Sequence, residues 1–135
     1  MAYWLMKSEP SAWSWDDQVK KGVEPWTGVR NYQANNNMKA MKKGDKAFFY
    51  HSVDEKRIVG IVEVVKEHYP DPTDETGKFG MVDVKAVKPV SKPVTLADIK
   101  AHKDLQDMPL IRQSRLSVCP VSEMQWNAIL KLAGE

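Results

Sequence analysis

Two neighbouring segments near the middle of the chain have the composition of β-strands and are separated by only four residues. Residues 46–52 and 57–68 are rich in aromatic and β-branched side chains, and the polar segment 53–56 lies between them. This pattern predicts a β-hairpin. Strands joined so closely pair antiparallel, because a parallel pair needs a crossover of a dozen or more residues. The chain is therefore expected to fold around a sheet with antiparallel pairing.

Helices are expected on both sides of this hairpin. Capping residues and helical spacing of apolar side chains predict helices starting near Ser14, Asn31, Thr95 and Ser122. Further strands are expected at 3–7, 81–87 and 115–118, and loops at 22–30 and 69–79. Pro89 and Pro93 place the end of the 81–87 strand at a sheet margin. The predicted class is α+β, with a mixed or antiparallel barrel-like sheet and flanking helices in a single domain, residues 1–135.

The amino-acid composition indicates which cellular compartment and which kinds of binding partner suit this chain. The 135 residues carry a formal net charge of +2, which permits nucleic-acid binding but argues for it only modestly. A lone cysteine, Cys119, makes an intramolecular disulfide impossible and fits a reducing, cytoplasmic compartment. The longest apolar stretch, 58–65, is too short to cross a bilayer, so no membrane association is expected.

The chain lacks the residue patterns of common catalytic sites. It has no phosphate-binding glycine loop, and its histidines, His51, His68 and His102, do not have metal-ligand spacing. His51 and Ser52 are adjacent on a strand, so their side chains point to opposite faces. Cys119 has no nearby basic residue and is interpreted as a small buried hydrophobe. We therefore expect no catalysis, no metal and no cofactor.

Tryptophans are concentrated near the start of the chain. Four of the five lie within the first 26 residues. Trp4 and Trp126 are expected in the core, but Trp26 lies in a loop beside Pro25, where it either packs or offers a flat surface on which a base can stack. Arg30 follows, and arginine binds phosphate well.

Several segments together resemble the EVE domain family, a branch of the PUA-like superfamily that is distantly related to YTH domains. The matching segments are Tyr3–Pro10, Trp26–Ala34, Phe49–Ser52, Gly60–Val64 and Ser114–Val121, in the family's order. The resemblance implies a PUA-like barrel of five or six strands with flanking helices. It also implies a cleft that accepts a flipped-out modified base, in several members a modified cytosine.

The resemblance also implies roles for individual residues. Trp26 would stack on the base, and Ser8 and Glu9 would approach its edge. The other implied pocket residues are Asn31 and Tyr32, with Tyr69 and Phe79 as a second wall; the implied phosphate contacts are Lys7, Arg30, Arg112 and Arg115. The family usually has arginine where this chain has Asn35, which removes one phosphate contact.

These observations predict a monomeric, non-catalytic module that recognises a 5-substituted cytosine in DNA. Two alternatives remain open on the sequence. The same cleft would serve an RNA-binding module acting on modified tRNA or rRNA. A small enzyme acting on a nucleoside or amide would need a base such as His51 or Glu9.

Overall fold

The computed structural model describes residues 2–135 as six strands, five α-helices and one 3-10 turn. The strands are β1 (Tyr3–Ser8), β2 (Val23–Pro25), β3 (Lys46–His51), β4 (Arg57–Pro70), β5 (Gly80–Thr95) and β6 (Val118–Val121). The helices are α1 (Trp15–Lys21), α2 (Tyr32–Ala40), α3 (Leu96–Ala101), α4 (Pro109–Arg112) and α5 (Glu123–Leu132), with the 3-10 turn at Lys103–Leu105.

The strands form one mixed sheet in the order β2-β5-β4-β3-β1-β6. The predicted hairpin is confirmed, because β3 pairs antiparallel with β4. The pair β1–β3 is parallel, whereas β1–β6, β2–β5 and β4–β5 are antiparallel. The α+β class and the mixed sheet are confirmed. The expected barrel closure is not, since among residues 2–135 no pairing joins the end strands β2 and β6 and the sheet is open.

Several expected boundaries were wrong. Part of the predicted 22–30 loop is the strand β2, which pairs with residues 83–85 of β5. β5 runs on through Pro89 and Pro93 to Thr95. Because β2 covers only three residues, the outer edge of β5 beyond Lys85 has no strand partner, and proline is tolerated there. The last strand lies at 118–121 rather than 115–118, and α4 was not expected.

The expected helix caps at Ser14, Thr95 and Ser122 are confirmed, and the helix expected from Asn31 is capped by Asn31 itself. Each of the four side chains accepts a hydrogen bond from a first-turn backbone N–H. Trp126 of α5 stacks on Phe48 with ring centroids 3.9 Å apart, so its predicted place in the core is confirmed. Trp4 is also buried, and its indole N–H donates to Asp45.

The sheet curls strongly, which positions the candidate site. Trp26 follows the edge strand β2, yet its ring packs edge-on against Phe49 of β3 with centroids 5.6 Å apart. Two other strands separate β2 from β3 in the sheet order. The curl therefore brings the segment after β2 over the inner face of the sheet and close to the end of β1.

Candidate functional site

A cavity of about 360 Å³ opens between the end of β1 and the segment that follows β2. We call it the Trp26 cavity. Its volume is at the low end of the range for small-molecule sites, about 300–1,000 Å³. It is lined by Lys7, Ser8, Glu9, Ala12, Trp13, Glu24, Pro25, Trp26 and Thr27. Four of the sequence-predicted site residues, Lys7, Ser8, Glu9 and Trp26, are thus brought together.

Two tryptophans, Trp13 and Trp26, line this cavity. Trp26 is only 8% exposed, since Phe49 packs against its ring and its backbone N–H donates to the carbonyl of Val82 at 2.8 Å. Trp13 is half-buried, and its indole N–H donates to Gln18 at 3.0 Å. Both rings are therefore held in place, so little side-chain freedom would be lost when a planar ligand binds.

The polar groups of the cavity come from the end of β1 and from β2. The Ser8 hydroxyl donates to the carbonyl of Trp13, and the carbonyl of Glu9 accepts from the backbone N–H groups of Ala12 and Trp13. These contacts fold residues 9–13 into a tight turn over the cavity. The exposed Glu9 carboxylate and the Glu24 carboxylate, which pairs with Lys21 at 3.3 Å, are acceptors at its rim.

Among residues 2–135, Lys7 is the one cationic side chain that lines the cavity. Its Nζ donates to the carbonyl of Ser114 at 2.8 Å, which leaves two further N–H donors on the ammonium group. Burial lowers the pKa of Lys7, and the nearby Cys119 opposes that effect. The lining of the cavity thus combines two carboxylates, one ammonium group and two tryptophans.

Asp71 braces the segment that carries Trp26. Its carboxylate accepts from the Gly28 backbone N–H at 2.9 Å, from Arg30 at 3.2 Å, and from the backbone and hydroxyl of Thr73. Burial alone would raise the pKa of Asp71, but these hydrogen bonds outweigh it and lower the pKa to about 2. Arg30, a predicted phosphate contact, therefore binds Asp71 and Thr73 in this structure.

A second depression, about 320 Å³, lies beside the first turn of α2. We call it the Arg115 depression, and it brings together three other predicted residues, Asn31, Arg112 and Arg115. Asn31 caps α2 through its side-chain oxygen, and Arg112 pairs with Asp107 at 3.1 Å. Arg115 is exposed and forms no ion pair within residues 2–135.

The remaining predicted residues do not line the Trp26 cavity. Tyr32 is 61% exposed and packs on Phe79 with centroids 4.9 Å apart, and Arg30 lies over the Phe79 ring. Tyr69 donates its hydroxyl to Asp83, and Lys66 lies 3.8 Å from the centre of its ring. Burial and the Asp83 contact raise the pKa of Tyr69 to about 12. The second aromatic residue that lines the cavity is Trp13 instead.

Trp13 and Glu24 also line the cavity, although the sequence did not assign either of them to the site. Glu24 belongs to the segment 22–30, which was expected to be a loop. The clustering of tryptophans before residue 27 was the available signal for Trp13. Asn35, at the position where the resemblance implies an arginine, is buried. Its side-chain oxygen accepts from the Gly80 N–H and contacts His68 Nε2, each at 3.0 Å.

Other reactive groups are held in structural contacts. His51 is 7% exposed; its Nε2 accepts from the Trp15 backbone N–H at 3.0 Å and its Nδ1 lies 2.9 Å from Glu55. Both ring nitrogens are thus engaged, which leaves neither free to take a substrate proton. Cys119 is fully buried, as expected, but the expectation that no basic residue lies nearby was wrong, because Lys7 is close enough to favour the thiolate. Burial outweighs Lys7 and raises the pKa of the thiol to about 11. Residues 2–135 contain no group of three potential metal ligands and no helix long and apolar enough to cross a membrane.

Comparison with known proteins gives matches along almost the entire chain. A family model described as the EVE domain matches residues 2–132. Thymocyte nuclear protein 1 of Gallus gallus is 36% identical to this chain. The match covers 98% of this chain and 69% of that protein.

Solved structures agree with this result. A crystal structure of a protein from Agrobacterium tumefaciens is 50% identical, with a TM-score of 0.97 and coverage of 99% of this chain and 94% of that one. The human THYN1 protein, solved in complex with DNA containing 5-methylcytosine, is 36% identical with a TM-score of 0.89. That match covers 100% of this chain and 99% of the human one.

Proposed function

Since this chain belongs to the EVE domain family, we propose that it is a non-catalytic DNA-binding module that holds a 5-substituted cytosine, flipped out of the duplex, in the Trp26 cavity. The observation that carries the proposal is the full-length likeness to the human THYN1 protein, which was solved with 5-methylcytosine DNA. The second support is the cavity itself, where two tryptophans flank polar groups suited to a base edge.

The polar groups of the cavity match the edge of cytosine. The exocyclic amine of cytosine donates hydrogen bonds, and Glu9 and Glu24 offer carboxylate acceptors at the rim. The remaining edge atoms, N3 and O2, are acceptors, and Lys7 retains free N–H donors. A base held this way would stack against Trp26 or Trp13. Stacking on an aromatic side chain is worth about 1–3 kcal/mol per base, comparable with the few kcal/mol needed to unstack and unpair it.

Selectivity for the 5-substituent is expected to be limited. A methyl group in an apolar pocket is worth about 1–3 kcal/mol, or roughly 10- to 200-fold in affinity. Cytosine without the methyl group would keep its edge contacts and its stacking. The module should therefore bind unmodified DNA weakly rather than reject it.

The test is a fluorescence anisotropy titration with duplexes that differ by one 5-methyl group. Wild-type protein should prefer the methylated duplex by about tenfold or more. Trp26→Leu keeps apolar volume but removes the flat ring, and should weaken binding by about 5- to 150-fold. Trp26→Phe, which keeps an aromatic ring, is the matched control and should retain most of the affinity. Thermal melts of all three proteins verify folding, because Trp26 also packs on Phe49.

The substitutions Glu9→Ala and Glu24→Ala identify which carboxylate accepts from the base. One of the two should lower affinity for the methylated duplex while the other leaves it nearly unchanged. Equal affinity for methylated and plain duplexes, together with unchanged binding by folded Trp26→Leu, would overturn the proposal. Tighter binding to an RNA strand that carries the same base would instead favour the RNA-binding alternative.

A further inference from the structure

The turn between β3 and β4, residues 52–56, lies beside the end of β1, whose last residues line the Trp26 cavity. β1 and β3 run parallel, so their carboxyl ends meet at one edge of the sheet, where the Ser52 N–H donates to the Ser8 carbonyl at 2.9 Å. Lys7 lines both the Trp26 cavity and a separate depression of about 270 Å³ that Val53 also lines. We call this second space the Val53 depression.

Val53 has an unusual backbone conformation for its residue type. Its φ is +71°, in the left-handed region, and Lys56 in the same turn has φ of +49°. A β-branched residue is rare in this region, where glycine and asparagine are favoured. The Val53 side chain is nevertheless 55% exposed, so burial in the core does not explain its presence there. Strained residues of this kind cluster at ligand-binding sites.

The surrounding structure holds the turn in this conformation. Glu55 accepts from Arg57 at 2.9 Å and contacts the buried His51 at the same distance, and His51 is in turn fixed by the Trp15 backbone. The carbonyl of Lys56 accepts from the Leu96 N–H at 2.8 Å. The exposed valine is therefore presented on a braced turn.

The Val53 depression is electropositive. Lys7, Lys56 and Lys100 line it, and none of the three forms an ion pair within the part of the chain that the structure describes. The neighbouring acids Asp54 and Glu55 do not line the Val53 depression. They line an adjacent one together with Lys56 and Lys100, where Glu55 is paired with Arg57 and neither acid forms an ion pair with the two lysines. Three unpaired amines around a small apolar residue suit a partner that combines phosphates with stacked bases.

We propose that Val53 inserts into the base stack of duplex DNA at the position that the flipped cytosine vacates, while Lys56 and Lys100 contact the flanking phosphates. This role rests on the proposed function, because it presupposes a base in the neighbouring Trp26 cavity. Removal of a base from the stack leaves an apolar gap, and an apolar side chain inserted between base steps occupies such space in other DNA-binding proteins.

The test compares double-stranded and single-stranded DNA that carry the same 5-methylcytosine. Val53→Gly and Val53→Asn both suit a left-handed backbone, so neither threatens the fold of the turn. Each should weaken duplex binding by about 5- to 50-fold and leave single-strand binding within about twofold, because a single strand has no stack to fill. Val87→Asn, at an exposed valine of β5 that lines neither cavity, is the matched control and should bind both DNAs like wild type.

Two further measurements sharpen the result. 2-Aminopurine placed beside the methylated cytosine reports unstacking, and its fluorescence increase on binding should be smaller with Val53→Gly than with wild type. Lys100→Ala should reduce the slope of log affinity against log salt concentration by about 0.9, as expected for one lost phosphate contact.

Loss of single-strand and duplex binding in equal measure, or no loss at all, would overturn the role of Val53 and leave the proposed function intact. A further outcome is that the wild-type protein binds neither the double-stranded nor the single-stranded methylated DNA more tightly than its unmethylated counterpart. That result would overturn both the role of Val53 and the proposed function.

Discussion

The brace at Asp71 gives a quantitative prediction for Asp71→Asn. The two carboxylate oxygens each accept from two donors, with Gly28 and Arg30 on Oδ2 and the backbone and hydroxyl of Thr73 on Oδ1. Asparagine has a single side-chain oxygen, so one pair of donors would face an amide N–H₂ group. The substitution therefore removes two hydrogen bonds, one of them from a charged partner if the Arg30 side is lost.

The size of the effect follows from the pKa of Asp71. A pKa of about 2, against an ordinary 3.8, means that the charged form is favoured in the folded state by roughly 2 kcal/mol, since each pH unit is worth about 1.4 kcal/mol. Asp71 is 2% exposed, so solvent screens this contribution little. Asp71→Asn should lower the free energy of unfolding at pH 7 by roughly 2–3 kcal/mol and the Tm by about 6–12 °C.

The pH dependence has a definite sign. The pKa is lower in the folded state than in the unfolded state, so the stabilisation is fully present above pH 4 and is lost as pH falls towards about 2. The difference in unfolding free energy between wild type and Asp71→Asn should therefore be constant from pH 7 to pH 5 and should narrow below pH 4.

Urea denaturation followed by tryptophan fluorescence measures that difference. The control is Asp54→Asn, since Asp54 is exposed and makes no side-chain hydrogen bond or ion pair within residues 2–135. Equal unfolding free energies for wild type and Asp71→Asn at pH 7 would refute the reasoning, as would a difference that grows in acid.

Three further predictions concern packing and ionisation. Gly60→Ala would place a Cβ 2.5 Å from the Trp15 ring and should destabilise the protein by about 1–3 kcal/mol in urea melts, with partial recovery in Gly60→Ala/Trp15→Leu; an unchanged midpoint would contradict this. Burial raises the pKa of Cys119 to about 11, so its thiol should not react with a thiol reagent at pH 8 until denaturant is added; rapid native labelling would contradict this. Burial raises the pKa values of Tyr50 and Tyr69 to about 12. Tyr50→Phe and Tyr69→Phe should therefore each remove one phenol ionisation near pH 12 from an ultraviolet titration. Loss of an ionisation near pH 10 would contradict this.

The parts of the fold that follow from local sequence were predictable. The caps at Ser14 and Ser122 and the β3–β4 hairpin depend on residues a few positions apart, and all were confirmed. The parallel pairing of β1 with β3 and the passage of β5 through Pro89 and Pro93 depend on distant partners. The residue pattern of a strand does not show which of its edges lacks a hydrogen-bonding partner. In β5 the unpaired edge is what allows the prolines within the strand.

The candidate site was predictable in part, for a similar reason. The resemblance to the EVE family named Ser8, Glu9 and Trp26, and the structure brings them to one cavity. It named Phe79 and Tyr69 as the second wall, but the Asp71 brace holds the 71–79 loop against Arg30, and Phe79 packs on Tyr32. Trp13 lines the cavity because residues 9–13 form a turn, in which the Glu9 carbonyl accepts from the Ala12 and Trp13 N–H groups. No sequence pattern revealed this contact.

The most direct test of the central claim is to observe the five tryptophan indole N–H signals by NMR while 5-methylcytosine duplex is added. Trp13 and Trp26 line the proposed base cavity. Trp4 and Trp126 serve as internal controls, because Trp4 is hydrogen-bonded to Asp45 and Trp126 is stacked on Phe48, both away from the cavity lining. We predict large shifts for Trp13 and Trp26, smaller ones with an unmethylated duplex, and little change for Trp4 and Trp126. Saturating DNA that leaves the signals of Trp13 and Trp26 in place would contradict the account.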